Sequence, residues 1–458
     1  MAITSINPAT GELLREFPPH SPEDVRDRIE QSQQAFLKMK DTDFETRAAW
    51  MRKAADLMEA DVDELGKTLT LEMGKTFEQA RAEILKSAKV MRFYADRAAE
   101  FLAPEELDDP SSVGAKKAYT VYEPMGVILA VMPWNYPIWQ VVRFAAPTLM
   151  AGNAALLKHA SNVPQAALYL DEIFLRGGFP EGAFRSLLIS SSAVEGVIRD
   201  RRVAAVTLTG SEPAGRSVAA IAGSEVKHSV LELGGSDPFI VMPTADLDEA
   251  ASMAVKSRTI NNGQACINAK RFIVHADVYD EFMERFNRQM ADLKVGDPMN
   301  PGTDIGPLAT SSGREDLIEL VEDARSKGAD IPVGGTVPDG PGWFYPPTVV
   351  TGVTPDMRLY AEEAFGPVAA VLQAADAAEA VRIANDTTFG LSSAVWTNSD
   401  EDVEFFTRSL DAGAVFVNGM SVSYPELPFG GVKDSGIGRE LSAEGIRAFC
   451  NVKSVWRN

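Results

Sequence analysis

The sequence predicts an α/β protein with two doubly wound, parallel-sheet domains. Short apolar runs alternate with helical stretches from residue 127 to residue 233, the pattern of a parallel sheet covered by helices on both faces. The alternation resumes between residues 238 and 418, where a second α/β domain would face the first across a cleft. Ahead of both, residues 45–101 are helical by composition and broken at Met73-Gly74.

Taken in order, residues 6–17 read as an extended edge that turns at Asn7-Pro8-Ala9-Thr10-Gly11. Ser21-Pro22-Glu23-Asp24 starts a helix, with a capping serine, a proline in the first turn and acids against the helix dipole. Residues 105–112 are acidic and turn-rich, marking a boundary. Strands are expected at 127–132, 154–157, 203–208 and 229–233, with helices at 138–150 and 163–175 and another from Pro213. Further strands are expected at 238–241, 271–274, 369–372, 394–396 and 414–418. A helix and an extended arm, 451–456, close the sequence; such arms often pair with a neighbouring subunit's sheet edge. Parallel sheets bind ligands beyond the carboxyl ends of their strands, and Asn135, Lys158, Gly210 and Glu232 all fall at such ends.

Composition narrows the function classes. The 458 residues allow two or three domains, and a net charge of −21 gives no basic footprint for nucleic acid. Two cysteines build no disulfide framework, which fits a reducing, cytoplasmic compartment. Residues 1–7 carry no signal-peptide pattern, and no apolar run is long enough to span a membrane. No metal site is expected.

The chemistry gathers around Asn261-Asn262-Gly263-Gln264-Ala265-Cys266. A lone cysteine is most often a small core residue, but this one follows a polar, glycine-containing turn. Glu232 ends an apolar strand, either as an exposed strand-end acid or as a desolvated carboxylate that acts as a base near neutral pH. Asn135, in Pro133-Trp134-Asn135-Tyr136-Pro137, is an Asx-turn residue or an oxyanion donor. No G-x-G-x-x-G follows any strand, and the P-loop-like glycine spacing from Gly210 has Arg216 where that motif requires lysine. Thr209-Gly210-Ser211 between a strand and a helix still suits a pyrophosphate, and Lys158 a ribose or phosphate. Thiol, carboxylate, amide donor and dinucleotide edge together describe aldehyde oxidation.

These motifs resemble the NAD(P)-dependent aldehyde dehydrogenases over essentially the whole sequence. Asn7-Pro8-Ala9-Thr10-Gly11-Glu12, Leu231-Glu232-Leu233-Gly234-Gly235, Glu363-Ala364-Phe365-Gly366-Pro367-Val368 and Pro428-Phe429-Gly430-Gly431-Val432-Lys433 extend the match. The resemblance implies that Cys266 attacks the aldehyde, that Asn135 and the Cys266 N–H hold the oxyanion, and that Glu232 activates the hydrolytic water. It places Lys158 and Glu363 on the two riboses, Phe365 beside the nicotinamide, and Trp134, Thr209, Gly210, Ser211 and Leu233 around the dinucleotide. It implies a Rossmann-like cofactor domain (1–104 with 124–233), a catalytic domain (234–434) and a small β oligomerisation flap and arm (105–123 and 435–458). Homodimers or homotetramers are implied as well.

Within the family the sequence most resembles the succinate semialdehyde dehydrogenases. Ser161 stands where NAD-preferring members carry a glutamate, which favours NADP while leaving NAD possible. His159 replaces a proline near the 2′-phosphate that NADP would place there, and the sequence assigns it no role. Arg143, eight residues beyond Asn135, stands where members acting on apolar aldehydes carry an aromatic; it implies a small aldehyde with a distal carboxylate, since Arg pairs bidentately with carboxylates. The other reading of Arg143 is a helix-surface residue with a local acid. Ile260 stands where some of those enzymes carry a second arginine, and Ser423 is expected to compensate, with Tyr136 also near the substrate. Another short carboxy-aldehyde such as glutarate semialdehyde is the alternative substrate. A CoA-acylating enzyme is disfavoured by Glu232.

Overall fold

The computed structural model describes residues 3–458; Met1 and Ala2 lie outside the described residues. Six strands form the first sheet in the order Gly436–Ile437, His228–Glu232, Val203–Thr209, Val127–Met132, Ala154–His159, Phe184–Ser186. Its strands are Val-, Ala- and Leu-rich because both faces are covered. Alternate residues enter different cores, as a period of two requires. Ile128, Ala130, Ala155 and Leu157 pack with the helices Phe44–Ala60, Phe77–Phe101, Trp139–Met150 and Pro164–Gly177. Val127, Leu129, Leu156 and Val206 pack with Pro22–Met39 and Glu212–Ser224 on the other side.

Seven strands form the second sheet: Asp330–Val333, Thr348–Thr351, Val368–Ala374, Ala269–His275, Asp237–Val241, Ser393–Trp396 and Val415–Val417. Leu247–Thr259 and Tyr279–Ala291 cover one face, Ser311–Ser326 and Ala377–Asn385 the other. The expected strands and helices are therefore present, with one difference in direction. Each sheet ends in an antiparallel edge strand, Gly436–Ile437 on the first and Asp330–Val333 on the second. The former has only two residues and turns on Gly436, too short to show a periodicity. It also comes from the segment assigned to the arm, so that segment completes the first sheet.

The third sheet, Cys450–Arg457, Lys117–Pro124 and Glu105–Glu106, is antiparallel. The terminal arm thus pairs along its whole length with a strand of its own chain, from Cys450 opposite Pro124 to Arg457 opposite Lys117. Among the described residues no helix is long and apolar enough to cross a membrane.

Candidate active site

The loop that leads to Cys266, the expected nucleophile, is built on backbone that few residues tolerate. Asn261 (φ 58°) and Asn262 (φ 56°) are both left-handed, a conformation asparagine accepts more readily than other side-chain-bearing residues. Gly263 follows at φ 75°, where a Cβ would lie 2.3 Å from the Gly366 carbonyl carbon. Side chains fix the loop from all sides. Asn261 Nδ2 donates to the carbonyls of Asn135 (2.9 Å) and Gln264 (3.0 Å). Asn262 Nδ2 donates to Gly74 and Pro307, both at 2.9 Å, so the helix break at Met73-Gly74 supplies an acceptor to the loop. Asn268 Oδ1 accepts from the Ala265 N–H at 2.6 Å. Fully buried Arg258 donates to the carbonyls of Gly263 (2.6 Å) and Ala269 (2.8 Å).

This frame presents Cys266 at the wall of a cavity of about 330 Å³. Burial pushes the thiol up to about 12, against the pull of Lys270 and Arg143. Lys270 donates to the carbonyls of Ala265 (3.0 Å) and Cys266 (2.6 Å) and pairs with Glu363 at 2.8 Å. The resting sulfur is therefore a thiol, and its alkylation by iodoacetamide should accelerate with rising pH without a plateau below about pH 9. Lys270→Met should slow it at each pH. Peptide mapping separates Cys266 from buried Cys450, and a plateau near neutrality would contradict this environment.

Asn135 Nδ2 donates to the Gln264 carbonyl at 3.0 Å, which brings the expected oxyanion donor against the nucleophile loop. Its turn is fixed by Glu83, an acid on the apolar face of Phe77–Phe101. Glu83 accepts from the N–H groups of Ile138 (2.7 Å) and Trp139 (2.9 Å), the free donors at the start of Trp139–Met150, and pairs with buried Lys75. Lys75 in turn lies 4.1 Å from the Tyr136 ring centroid. Tyr136, Arg143 and Ser423 all line the cavity with Cys266.

Glu232 is buried behind this wall and is not among the cavity-lining residues. Gly430 makes room for it: a Cβ there would lie 2.6 Å from Glu232 Oε1. Burial drives its carboxyl well above the usual range, Glu440 adds to the push, and Arg143 and Arg439 oppose it. Arg143 is buried, so it is not a surface residue, yet it does have a protein acid of its own. Its Nε contacts Glu440, its Nη2 donates to Thr209 Oγ1 at 3.3 Å, and its guanidinium lies 4.6 Å from the Phe429 ring centroid. Neither polar contact uses Nη1.

At the cofactor edge, Lys158 and exposed Ser161 follow one another at the end of Ala154–His159 with no carboxylate in ion-pair contact with Lys158 among the described residues. Burial lowers the Lys158 pKa. Ser211 precedes Glu212–Ser224 without capping it through its side chain, leaving N–H groups of the first turn for an anion. Trp134 and Phe365 meet edge to face at 5.7 Å, and Glu363 accepts from the Gly235 N–H at 3.3 Å. His159, to which the sequence assigns no role, lies at the same edge. Its ring points inward, with Nε2 2.9 Å from the Pro137 carbonyl and Nδ1 accepting from the Ala160 N–H. Those partners assign the proton to Nε2. Burial takes its pKa down to about 4, so it is a neutral strut between the cofactor edge and the Asn135 turn.

The chain matches the aldehyde dehydrogenase family model over residues 1–455. It belongs to the aldehyde dehydrogenase family. Among relatives of this aldehyde dehydrogenase is the NADP+ succinate-semialdehyde dehydrogenase of Mycobacterium avium (strain 104), 60% identical over all of this chain and 97% of that one. A second, from Mycobacterium tuberculosis (strain ATCC 25618 / H37Rv), is 60% identical over the full length of both. The crystal structure of succinic semialdehyde dehydrogenase from Streptococcus pyogenes with NADP+ superposes with a TM-score of 0.96 at 37% identity, covering 99% of each chain.

Several site residues escaped sequence reasoning. Lys270, Arg258 and Glu440 are charged positions whose burial arises only on packing, and Lys86 is half-buried in the same way. Glu83 alone carried a signal, as an acid on the helix face that also bears Ala80, Ile84, Ser87 and Met91.

Proposed function

We propose that this aldehyde dehydrogenase oxidises succinate semialdehyde to succinate with NADP+, NAD+ being the weaker alternative. The observation that carries the substrate is Arg143 in the wall of the cavity on Cys266, and the names of the 60% identical relatives agree with it. In this reading Cys266 gives up its thiol proton to solvent as its Sγ bonds to the aldehyde carbon, and the oxygen that gains the electron pair accepts from Asn135 Nδ2 and the Cys266 N–H. When bound, the nicotinamide supplies the hydride acceptor. Glu232 then takes a proton from the water that adds to the Cys266 thioester and expels the thiolate. Lys158 and Ser161, a cation and a hydroxyl with no acid paired to them, suit a 2′-phosphate; Glu363 and Phe365 serve the nicotinamide half. Arg143 and Ser423 receive the distal carboxylate, with Tyr136 shaping the wall.

Two free thiols support a cytoplasmic setting. The outer edge of Cys450–Arg457, with Val452 and Trp456 exposed, supports assembly as a homodimer or homotetramer. Initial rates of NADPH and NADH formation with succinate semialdehyde and with uncharged butyraldehyde test the reading. Wild type should prefer the acid aldehyde and NADP+, and Arg143→Ala should lose about 2–5 kcal/mol of that discrimination. Equal oxidation of butyraldehyde by wild type would remove the substrate assignment.

A further inference from the structure

Two lysines line the cavity with no ion pair among the described residues, exposed Lys89 and half-buried Lys86. The third lining cation, Arg143, has Glu440, and outside the lining Lys270 has Glu363 and Lys75 has Glu83. Lys86 Nζ instead donates to Ser423 Oγ at 2.9 Å and lies 3.9 Å from the Trp139 ring centroid, with no ion pair among the described residues. A hydroxyl and an aromatic face orient an ammonium but do not neutralise it, and a half-buried charge without a counterion is still costly. The charged and titratable groups around it come from four places. Glu83 and exposed Lys89 share its helix, Arg143 faces it from Trp139–Met150, Cys266 from the nucleophile loop, and Tyr424 from the loop that carries Ser423. Glu83 is already engaged by Lys75 and two backbone N–H groups.

We propose that Lys86 is a specificity-determining residue that pairs with the distal carboxylate of the substrate, with Ser423 bridging the two. This rests on the carboxy-aldehyde reading above and adds to it a position on a different helix from Arg143. The consequence is a pH-dependent affinity. Burial first, then Arg143, brings the Lys86 pKa down to about 7, while Glu83 and Cys266 oppose that shift. A bound carboxylate raises it again, so binding is strongest below that value, where the ammonium is present, and weakens as pH climbs above it.

The test compares KM and kcat for succinate semialdehyde and butyraldehyde with NADP+ in wild type, Lys86→Met and Lys86→Arg, from about pH 6 to about pH 9. In wild type, KM for the acid aldehyde should rise with pH while KM for butyraldehyde stays level. Lys86→Met should lower the acid-to-neutral ratio of kcat/KM by about thirtyfold or more, mainly through KM. Lys86→Arg should keep the preference and flatten its pH dependence, because a guanidinium stays charged throughout. A wild type that prefers the acid aldehyde with a KM indifferent to pH, or a Lys86→Met enzyme that keeps the ratio within threefold, would overturn the role of Lys86 alone. A wild type with no preference for the acid aldehyde would overturn the substrate reading, and this proposal with it.

Discussion

Replacing Glu232 by glutamine is expected to give a burst of about one NADPH per active site, followed by turnover slowed about 10²–10⁴-fold. The amide keeps the shape of the side chain in the space left by Gly430 but cannot accept a proton from water. Acylation of Cys266 would proceed and the thioester would accumulate. The wild-type enzyme should show the same dependence through pH. Its carboxyl is raised by burial and by Glu440, so the protonated, inactive form predominates at low pH. Turnover limited by hydrolysis therefore rises with pH, and this rise should vanish in Glu232→Gln. Stopped-flow absorbance of NADPH separates the two phases. Slowing of both phases alike would place Glu232 before the thioester and not after it.

The second large effect is structural. Arg258→Met should destabilise the fold by about 2–5 kcal/mol. The guanidinium is fully buried and satisfies the carbonyls of Gly263 and Ala269, which flank the nucleophile turn. A thioether fills much of the volume but donates nothing, leaving both carbonyls without a partner away from water. Urea unfolding monitored by tryptophan fluorescence measures the loss. A change below about 1 kcal/mol would mean that the loop relaxes to find other donors.

The strands were legible because short continuous apolar runs, stopped by Pro133 or by Gly210, leave few alternatives. Asn135, Lys158, Gly210 and Glu232 could be placed at strand ends for the same reason. The positions of Lys86, Lys270 and Arg258 could not be read this way. Each lies in a segment whose local pattern is ordinary, and each becomes significant only when a distant element arrives: Ser423 for Lys86, Glu363 for Lys270, the turn at Gly263 for Arg258. Arg143 was placed in the cavity by its spacing from Asn135, but its partner Glu440 lies about 300 residues further along the chain. The role of His159 could not be read because a strand-end residue can point out to ligand or in to the core, and only the inward carbonyl of Pro137 decides between them.

The edge strand Gly436–Ile437 also orders events during synthesis. His228–Glu232 leaves the ribosome about two hundred residues before the segment that pairs with its outer edge. During that interval the strand ending in Glu232 has one bare row of backbone donors and acceptors, open to wrong partners. Glu232 can reach its buried position against Gly430 only when translation is almost complete. A nascent chain halted before residue 436 should therefore be able to pack its cofactor sheet against helices, yet remain without catalysis and prone to association.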